Sequence, residues 1–215
     1  MDFNPSVINS IIKYIFDRLL ALLLLVMLLP VFIMIALVIT VPGWVHPPSR
    51  KPGPMFFTQK RVGRHGRLFT IIKFRTMVPH TDVNTVTAAN DHRITKAGAF
   101  LRKWKLDELP ELINVLVGDM SFVGPRPDVP GYADLLTGPE REILSLRPGI
   151  TGPASLKYYH EEEILAGCEN PKEYNDHVIY PDKVKINLKY LGRYNLMEDL
   201  KIIFYTLIRK KDYEY

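Results

Sequence analysis

Two adjacent carboxylates, Asp107 and Glu108, are the first candidates for chemistry in this chain. They stand before Leu109-Pro110, where a proline is tolerated because the first amides of a helix have no partner. Three cations precede them in the sequence: Arg102, Lys103 and Lys105. At a helix N-terminus both carboxylates could serve one anionic substrate, and a divalent cation would let them coexist with a diphosphate. The alternative is that Asp107 only caps the helix, the commoner role of an Asp in this position.

Two arginines are held by neighbouring prolines. Arg126 lies within Gly124-Pro125-Arg126-Pro127, and Arg147 precedes Pro148-Gly149. A guanidinium on so stiff a backbone suits bidentate capture of phosphate or carboxylate, although each arginine could also be a surface residue of an ordinary turn. Together with the carboxylate pair, they favour a phosphoryl-transfer site.

A predicted β-hairpin adds two more cations. Residues 55–62 and 67–77 have the composition of strands, joined by a turn at residues 63–66. In the second strand, Lys73 and Arg75 share one face with Phe69 and Ile71 because side chains alternate along a strand. This face is either a solvated edge or a wall that faces phosphate.

Helical patterns account for much of the remaining chain. We predict helices near residues 94–104, from residue 109 to a stop at Gly118, and at residues 139–146. The last helix begins with the capping pair Asn195 and Glu198. Its apolar stripe is more typical of a core face than of a membrane face: Leu196, Leu200, Ile203, Phe204 and Leu207. The basic residues Arg209, Lys210 and Lys211 that follow leave a position at the membrane interface open. The expected fold is a compact, helix-rich α/β (α+β) domain with a small β-hairpin.

Residues 19–41 form an uncharged apolar segment, long enough to cross the ~30 Å hydrocarbon layer as a helix. Pro30 lies in its middle and predicts a kink. The sequence alone favours a kinked spanning helix over a re-entrant helical hairpin. The segment is followed by the heavier basic flank, which predicts that the globular domain is cytoplasmic: Arg50, Lys51, Lys60 and Arg61.

The charge distribution limits the possible partners. Residues 60–105 contain eleven Lys or Arg against two acids, whereas the whole chain has a formal charge of +5. A basic half beside a hydrophobic anchor suggests anionic lipid head groups or a phosphorylated substrate, and no familiar motif indicates nucleic acid. Cys168 is the single cysteine, so no intramolecular disulfide can form, and the six histidines have no metal-binding spacing.

At these residues the chain strongly resembles the bacterial sugar transferase family, the monotopic phosphoglycosyl transferases. The resemblance covers nearly the whole chain, and its motifs are specific in combination. They are the apolar segment with Pro30, Gln59-Lys60-Arg61-Val62-Gly63, Lys73-Phe74-Arg75-Thr76-Met77, Leu106-Asp107-Glu108-Leu109-Pro110, Asn114-Val115-Leu116-Val117-Gly118-Asp119-Met120-Ser121, Val123-Gly124-Pro125-Arg126-Pro127 and Arg147-Pro148-Gly149-Ile150-Thr151-Gly152.

The resemblance implies a re-entrant membrane helix at residues 1–45, in place of the spanning helix, and a cytosolic catalytic domain with interfacial amphipathic helices at residues 46–215. It implies that Asp107 is the nucleophile, that Glu108 is its acidic partner, and that both bind Mg²⁺. Five cations are expected to bind substrate phosphate by the same likeness: Lys73, Arg75, Arg102, Arg126 and Arg147.

The reaction implied by the resemblance transfers a sugar-1-phosphate from a UDP-sugar to undecaprenyl phosphate, through a covalent aspartyl phosphosugar, and releases UMP. The expected location is the bacterial cytoplasmic membrane, with the catalytic domain facing the cytoplasm. Two rival functions remain open: a membrane-bound phosphohydrolase that uses the same carboxylates, and a non-catalytic scaffold that binds anionic lipid.

Overall fold

The computed structural model describes residues 5–40, 54–78 and 93–208. Basic residues Arg50 and Lys51, used above to orient the domain, lie outside these ranges. The described chain is rich in helix with two small sheets, which agrees with the expected fold class. Its helices and strands are α1 Pro5–Met27, α2 Leu29–Thr40, β1 Phe56–Val62, β2 Leu68–Phe74, α3 Lys96–Lys103, α4 Glu111–Val117, β3 Ser121–Val123, β4 Gly149–Thr151, α5 Pro153–Lys157, α6 Glu161–Ala166, α7 Pro171–Tyr174, α8 Tyr180–Gly192 and α9 Leu196–Leu207. Short 3₁₀ turns lie at Arg64–Gly66, Leu106–Glu108, Ala133–Leu135 and Gly138–Ser145, and a π-helical turn at Asn175–Ile179 precedes α8.

The apolar segment is broken between α1 and α2, and the two helices are bent by 60°. Pro30 is the second residue of α2, so its ring replaces an N–H that would otherwise bond back into α1. No single described helix has both the length and the apolar character of a membrane span, although the bent pair passes that test together.

Both helices of the pair pack against the same domain. Ala21 of α1 belongs to the main core, with Leu112 and Val115 of α4. Ile35 and Ile39 of α2 are buried in a separate cluster with Phe74 of β2 and Leu101 of α3. The outward faces of the pair remain apolar and exposed: Leu19, Leu22, Leu23, Val26, Met27, Leu29, Ile33, Met34 and Leu37.

The predicted hairpin is confirmed. Strands β1 and β2 pair antiparallel, and the turn at residues 63–66 joins them. Alternation gives β2 two buried faces, since Phe69 and Ile71 point into the main core while Phe74 packs against α2. Lys73 continues the face of Phe69 and Ile71, beyond the end of the apolar core.

The second sheet was not predicted. Strands β3 and β4 pair in parallel over three residues each. Gly124 follows β3 and lies so close to β4 that a Cβ built on it would be 2.2 Å from the Arg147 carbonyl oxygen, and one on Gly149 would be 2.2 Å from the Gly124 nitrogen. The two arginine–proline segments are therefore joined directly through their backbones.

Two helix ends are confirmed and one helix face is corrected. Gly118 ends α4 with φ 96°, and the Asn195 side chain accepts a hydrogen bond of 2.9 Å from the Glu198 amide at the start of α9. The stripe of α9 predicted to face the core is wrong for three of its five residues, because Leu200, Phe204 and Leu207 are exposed, whereas Ile203 packs against the main core. The inward side of α9 carries Ile202 and Asp199. The reason is a buried charge, since Asp199 receives Lys13 of α1 as its partner and so turns its own face inward.

Candidate active site

The two carboxylates lie in the 3₁₀ turn Leu106–Glu108, between α3 and α4. Lys105 precedes the turn with φ 56°, a left-handed conformation that reverses the chain direction after α3. Helix α4 begins after Pro110 without a side-chain cap, so the capping alternative for Asp107 is wrong. Asp107 and Glu108 are each only 9% exposed, which is unusual for charged residues and requires compensation.

Glu108 is compensated by two cations. Lys73 Nζ and Arg126 Nη2 each donate a hydrogen bond of 2.7 Å to Glu108 Oε1. These two predicted site residues come from β2 and from the segment after β3, and the structure brings both to the same oxygen. The pair of ion pairs fixes the orientation of the Glu108 side chain.

Asp107, unlike Glu108, has a buried oxygen that lacks this compensation. Its Oδ1 atom is buried and forms no hydrogen bond with the described residues. A buried oxygen without a partner costs free energy, so its retention calls for a ligand or a reacting group that the protein itself does not supply. Of the two adjacent carboxylates, Asp107 is thus the one with a buried oxygen that no described residue satisfies.

A third carboxylate, that of Glu111, belongs to the cluster and was not predicted. Lys73 Nζ lies 3.2 Å from Glu111 Oε1, so the ammonium bridges Glu108 and Glu111. The sequence did contain the signal, because Glu111 follows Glu108 by three residues and Asp107 by four, the spacings that share a helical face.

Asn114 holds β2 against α4 and so positions Lys73. Its amide nitrogen donates to the Thr70 carbonyl at 2.8 Å, and its Oδ1 accepts from the Ile72 amide at 3.1 Å. Asn114 is 2% exposed, and both of these backbone groups belong to the edge of β2. Lys73 follows directly on this clamped segment, which explains why its ammonium reaches α4.

Electrostatics separate the three carboxylates. Burial and the neighbouring Glu108 raise the pKa of Asp107, while Lys73, Arg102 and Lys105 partly offset that rise. Burial alone would raise the pKa of Glu108 too, but Arg126 and Lys73 overcome it and hold the pKa well below the usual range. Burial and the Glu108 charge raise the pKa of Glu111 to about 7. Glu108 is therefore the permanent anion of the group.

Comparison with known proteins identifies the family. Residues 8–210 match the family described as bacterial sugar transferase. The chain belongs to this family.

Three curated relatives illustrate the likeness of this sugar transferase to other proteins. It is 35% identical over 215 residues to the UDP-glucose:undecaprenyl-phosphate glucose-1-phosphate transferase of Escherichia coli (strain K12), covering 97% of this chain and 42% of that protein. It is 33% identical to the protein of the same name from Caulobacter vibrioides (strain ATCC 19089 / CIP 103742 / CB 15), with 94% and 71% covered. The exopolysaccharide production protein ExoY of Sinorhizobium fredii (strain NBRC 101917 / NGR234) is 31% identical, with 93% and 85% covered. The chain thus spans less than half of the Escherichia coli relative.

The remaining predicted site residues of the sugar transferase differ in their contacts with the dyad formed by Asp107 and Glu108. Arg102, in the last turn of α3, is near enough for its charge to lower the pKa of Asp107. Arg75 donates to the carbonyls of Pro54 at 2.7 Å and Phe56 at 3.2 Å, so its described contacts fix the start of β1.

Arg147 lies against α1 in the sugar transferase. Its Nε donates to the Gly118 carbonyl at 3.1 Å, and its guanidinium carbon is 4.4 Å from the centre of the Tyr14 ring. None of its described contacts is with Asp107 or Glu108. A phosphate-binding role for Arg147 stays a prediction.

The residues around Asp107 fit the predicted Mg²⁺ in one respect. Mg²⁺ is commonly held by one or two carboxylates together with substrate phosphates and water, and the unpartnered Oδ1 of Asp107 is a suitable ligand atom. The described residues contain no group of three or more His, Cys, Asp or Glu arranged to hold a metal. Any ion bound by Asp107 and Glu108 would therefore need substrate or water oxygens to complete its coordination.

Proposed function

We propose that this chain transfers a sugar-1-phosphate from a UDP-sugar to undecaprenyl phosphate, which yields a polyprenyl-diphospho-sugar and UMP. The observation that carries the proposal is the contrast within the dyad, where Glu108 is fixed by Lys73 and Arg126 while Asp107 Oδ1 has no partner. The printed names of the relatives in Escherichia coli and Caulobacter vibrioides support the choice of donor and acceptor.

Asp107 is the nucleophile in this proposal. Its carboxylate oxygen forms a bond with the phosphorus that bears the sugar, and the bond from that phosphorus to the bridging oxygen breaks, so that UMP leaves with the electron pair. The phosphate oxygen of the polyprenol then attacks the same phosphorus, and the Asp107 carboxylate is released. A covalent route suits a site in which the soluble donor and the lipid acceptor, both anionic, need not be bound together.

The cations of the site have distinct roles. Arg126 and Lys73 are held by Glu108, so they are already oriented when a diphosphate arrives and can stabilise charge that develops on it. Arg102 acts on the Asp107 side of the dyad. When bound at Asp107 and Glu108, Mg²⁺ would supply further charge stabilisation on the diphosphate.

The bent helix pair supports a re-entrant anchor. Because α1 and α2 both pack against one domain, a helix pair that returned to the same membrane face would leave these contacts intact, whereas a straight span would separate them. The exposed apolar side of α9, with Met197, Phe204 and Leu207, fits an interfacial helix beside that anchor. We propose that the domain lies on the cytoplasmic face of the bacterial membrane.

The test is UMP release from a panel of UDP-sugars by the purified full chain in detergent or nanodiscs, with Mg²⁺ and with or without undecaprenyl phosphate. Multiple turnovers that require the lipid, together with a lipid-linked sugar diphosphate product, would support the transferase. Multiple turnovers without the lipid would favour the phosphohydrolase. A chain that releases no UMP and binds only anionic lipid would be the scaffold.

A further inference from the structure

Asp128 is a charged residue that the proposed transfer does not use, two positions beyond Arg126. Its backbone is fixed to the hairpin, because its carbonyl accepts a hydrogen bond of 2.9 Å from the Val62 amide. Arg61 Nη1 donates to the carbonyl of the intervening Pro127 at 3.2 Å. The backbone of Pro127 and Asp128 is thus tied to β1.

The side chains of Arg126 and Asp128 belong to one neighbourhood. Prolines around Arg126 favour an extended backbone, in which residues two apart point to the same side and are offset by about 6.6 Å. The charge of Arg126 acts on Asp128, in agreement with this arrangement. If Arg126 binds a phosphate of the donor, the offset of about 6.6 Å places Asp128 beside the group that this phosphate carries.

The Asp128 carboxylate has no close ion pair with the described residues, although the charges of Lys183, Arg61 and Arg126 all act on it. The Tyr180 hydroxyl is buried and lies close enough to interact with the Asp128 carboxylate by hydrogen bonding. Because an ionised carboxylate has two acceptor oxygens, Asp128 keeps acceptor capacity beside Tyr180 that a bound group could use.

Helices α6 and α8 form the wall beside Asp128. Lys183 of α8 contacts both carboxylate oxygens of Glu161, each at 2.7 Å, and the Glu161 charge also acts on Arg126. Arg126 therefore interacts both with Glu161 of this wall and with Glu108 of the dyad. Glu161 and Lys183 both lie in the part of the chain that runs from α6 to the start of α8. This part has no role in the proposed transfer.

The chemistry of this wall suits a sugar better than a nucleobase. Carboxylate, ammonium and phenol groups can hydrogen-bond ring hydroxyls, whereas a base is usually held by stacking on a free aromatic face. Here the Tyr180 ring packs edge-on against Tyr132 with centroids 5.1 Å apart, and Lys183 lies 5.7 Å from the centre of the Tyr158 ring. We infer that Asp128, with Tyr180 and Lys183, forms the subsite that recognises the hydroxyls of the donor's sugar; this inference rests on the proposed transferase function.

The experiment compares the full-length wild type with Asp128→Asn and Asp128→Glu. The relative kcat/KM is measured for UDP-glucose, UDP-galactose, UDP-N-acetylglucosamine and UDP-N-acetylgalactosamine, and inhibition by UMP is measured in parallel. UMP has no sugar at its phosphate, so it reports on the nucleotide side alone. Glu142→Gln, an exposed acid on the turn Gly138–Ser145, is the control, and thermal unfolding checks that each variant is folded.

We expect Asp128→Asn to change the ratio of kcat/KM between the best donor and its epimer by about tenfold or more, with UMP inhibition unchanged. Asp128→Glu should alter the same ratio in a folded protein whose charge is kept. Ratios of kcat/KM within twofold of the wild type in both variants would overturn the inference without contradicting the transferase function. A parallel loss of UMP inhibition would also overturn it, because that result would assign Asp128 to the nucleotide. A wild type that releases no UMP from any donor would refute the proposed function itself, and this subsite with it.

Discussion

Arg126 Nη2 and Glu108 Oε1 are 2.7 Å apart, and this ion pair engages one of the two adjacent carboxylates, Glu108 rather than Asp107. Lys73 binds the same oxygen, so Glu108 is an anion already committed to two cations. Asp107, its neighbour in the chain, keeps an unpartnered oxygen. In the proposed mechanism, the division of roles between these two chemically similar residues follows from which one the arginine reaches.

Replacing Arg126 by lysine should impair transfer although the charge is kept. Lysine lacks the planar fork that allows a guanidinium to bind Glu108 and a substrate oxygen together. We expect kcat/KM to fall by about 10- to 100-fold, equivalent to roughly 1–3 kcal/mol for a charge-assisted hydrogen bond. Arg67→Lys, at an exposed position of the hairpin, is the matched control. Wild-type kinetics in Arg126→Lys would show that the fork is not used.

Asp107→Asn should abolish both lipid transfer and donor cleavage, whereas Glu108→Gln should retain a trace of activity because Asp107 remains. Rapid mixing of wild type, Mg²⁺ and donor without lipid should release at most one UMP per enzyme. Intact-protein mass should then show a phosphosugar adduct, localised to Asp107 by peptide mapping. If UMP appears only after undecaprenyl phosphate is added, and no adduct forms, direct transfer between the two substrates is the better mechanism.

Glu111 should make the folded state less stable as pH rises. Its pKa is about 7 in the folded chain, above the ordinary value of 4.5, so the folded state holds a proton that the unfolded state has lost between these values. The contribution of Glu111 to the free energy of unfolding is complete below about pH 4.5 and declines as the pH rises to about 7. Thermal unfolding in EDTA at pH 5 and pH 7.5 should therefore show a larger drop in Tm for the wild type than for Glu111→Gln. Equal drops in both proteins would contradict the assignment.

Lys13→Met should destabilise the protein strongly. Lys13 and Asp199 form an ion pair in which both side chains are 3% exposed, so the substitution leaves a buried carboxylate without its cation. The expected loss is about 3–5 kcal/mol, measured by chemical or thermal unfolding. Lys201→Met, whose side chain is 52% exposed, should change stability little. The double variant Lys13→Met/Asp199→Leu should recover much of the loss; no recovery would mean that Lys13 stabilises through something other than this pair.

Both ends of the bent pair should be cytoplasmic. In a Cys168→Ser background, single cysteines at Ser6 and Thr40 should resist a membrane-impermeant maleimide in intact cells and react after permeabilisation. Glu142→Cys, on the globular domain, provides the cytoplasmic reference. Modification of the Ser6 cysteine alone from the periplasmic side would reveal a spanning helix and exclude the re-entrant anchor.

Local signals in the sequence were sufficient for much of the fold. The hairpin, the stop at Gly118 and the cap at Asn195 each depend on a few neighbouring residues, and each is confirmed. The pairing of β3 with β4 was not predictable in the same way. Its three-residue strands are too short for a periodic pattern, and their contact depends on the close approach of Gly124 and Gly149.

The site was predictable as a set of residues but not as a geometry. Lys73 and Arg126 meet at Glu108 because of tertiary contacts that no spacing reveals. Arg147 is followed by a proline as Arg126 is, yet its described contacts are with the Tyr14 ring and Gly118. The face of α9 was mispredicted for a related reason, since apolar periodicity cannot anticipate a buried Asp199 whose partner lies in α1.

The pairing of Lys13 with Asp199 also sets an order of events during synthesis. The two residues are 186 positions apart, so α1 leaves the ribosome with a cation whose counter-charge is made much later, in α9. Until α9 emerges, Lys13 can stay hydrated only if its part of α1 remains at the aqueous boundary. The apolar half of the anchor can enter the lipid early, but the domain can close over α1 only after α9 has been made.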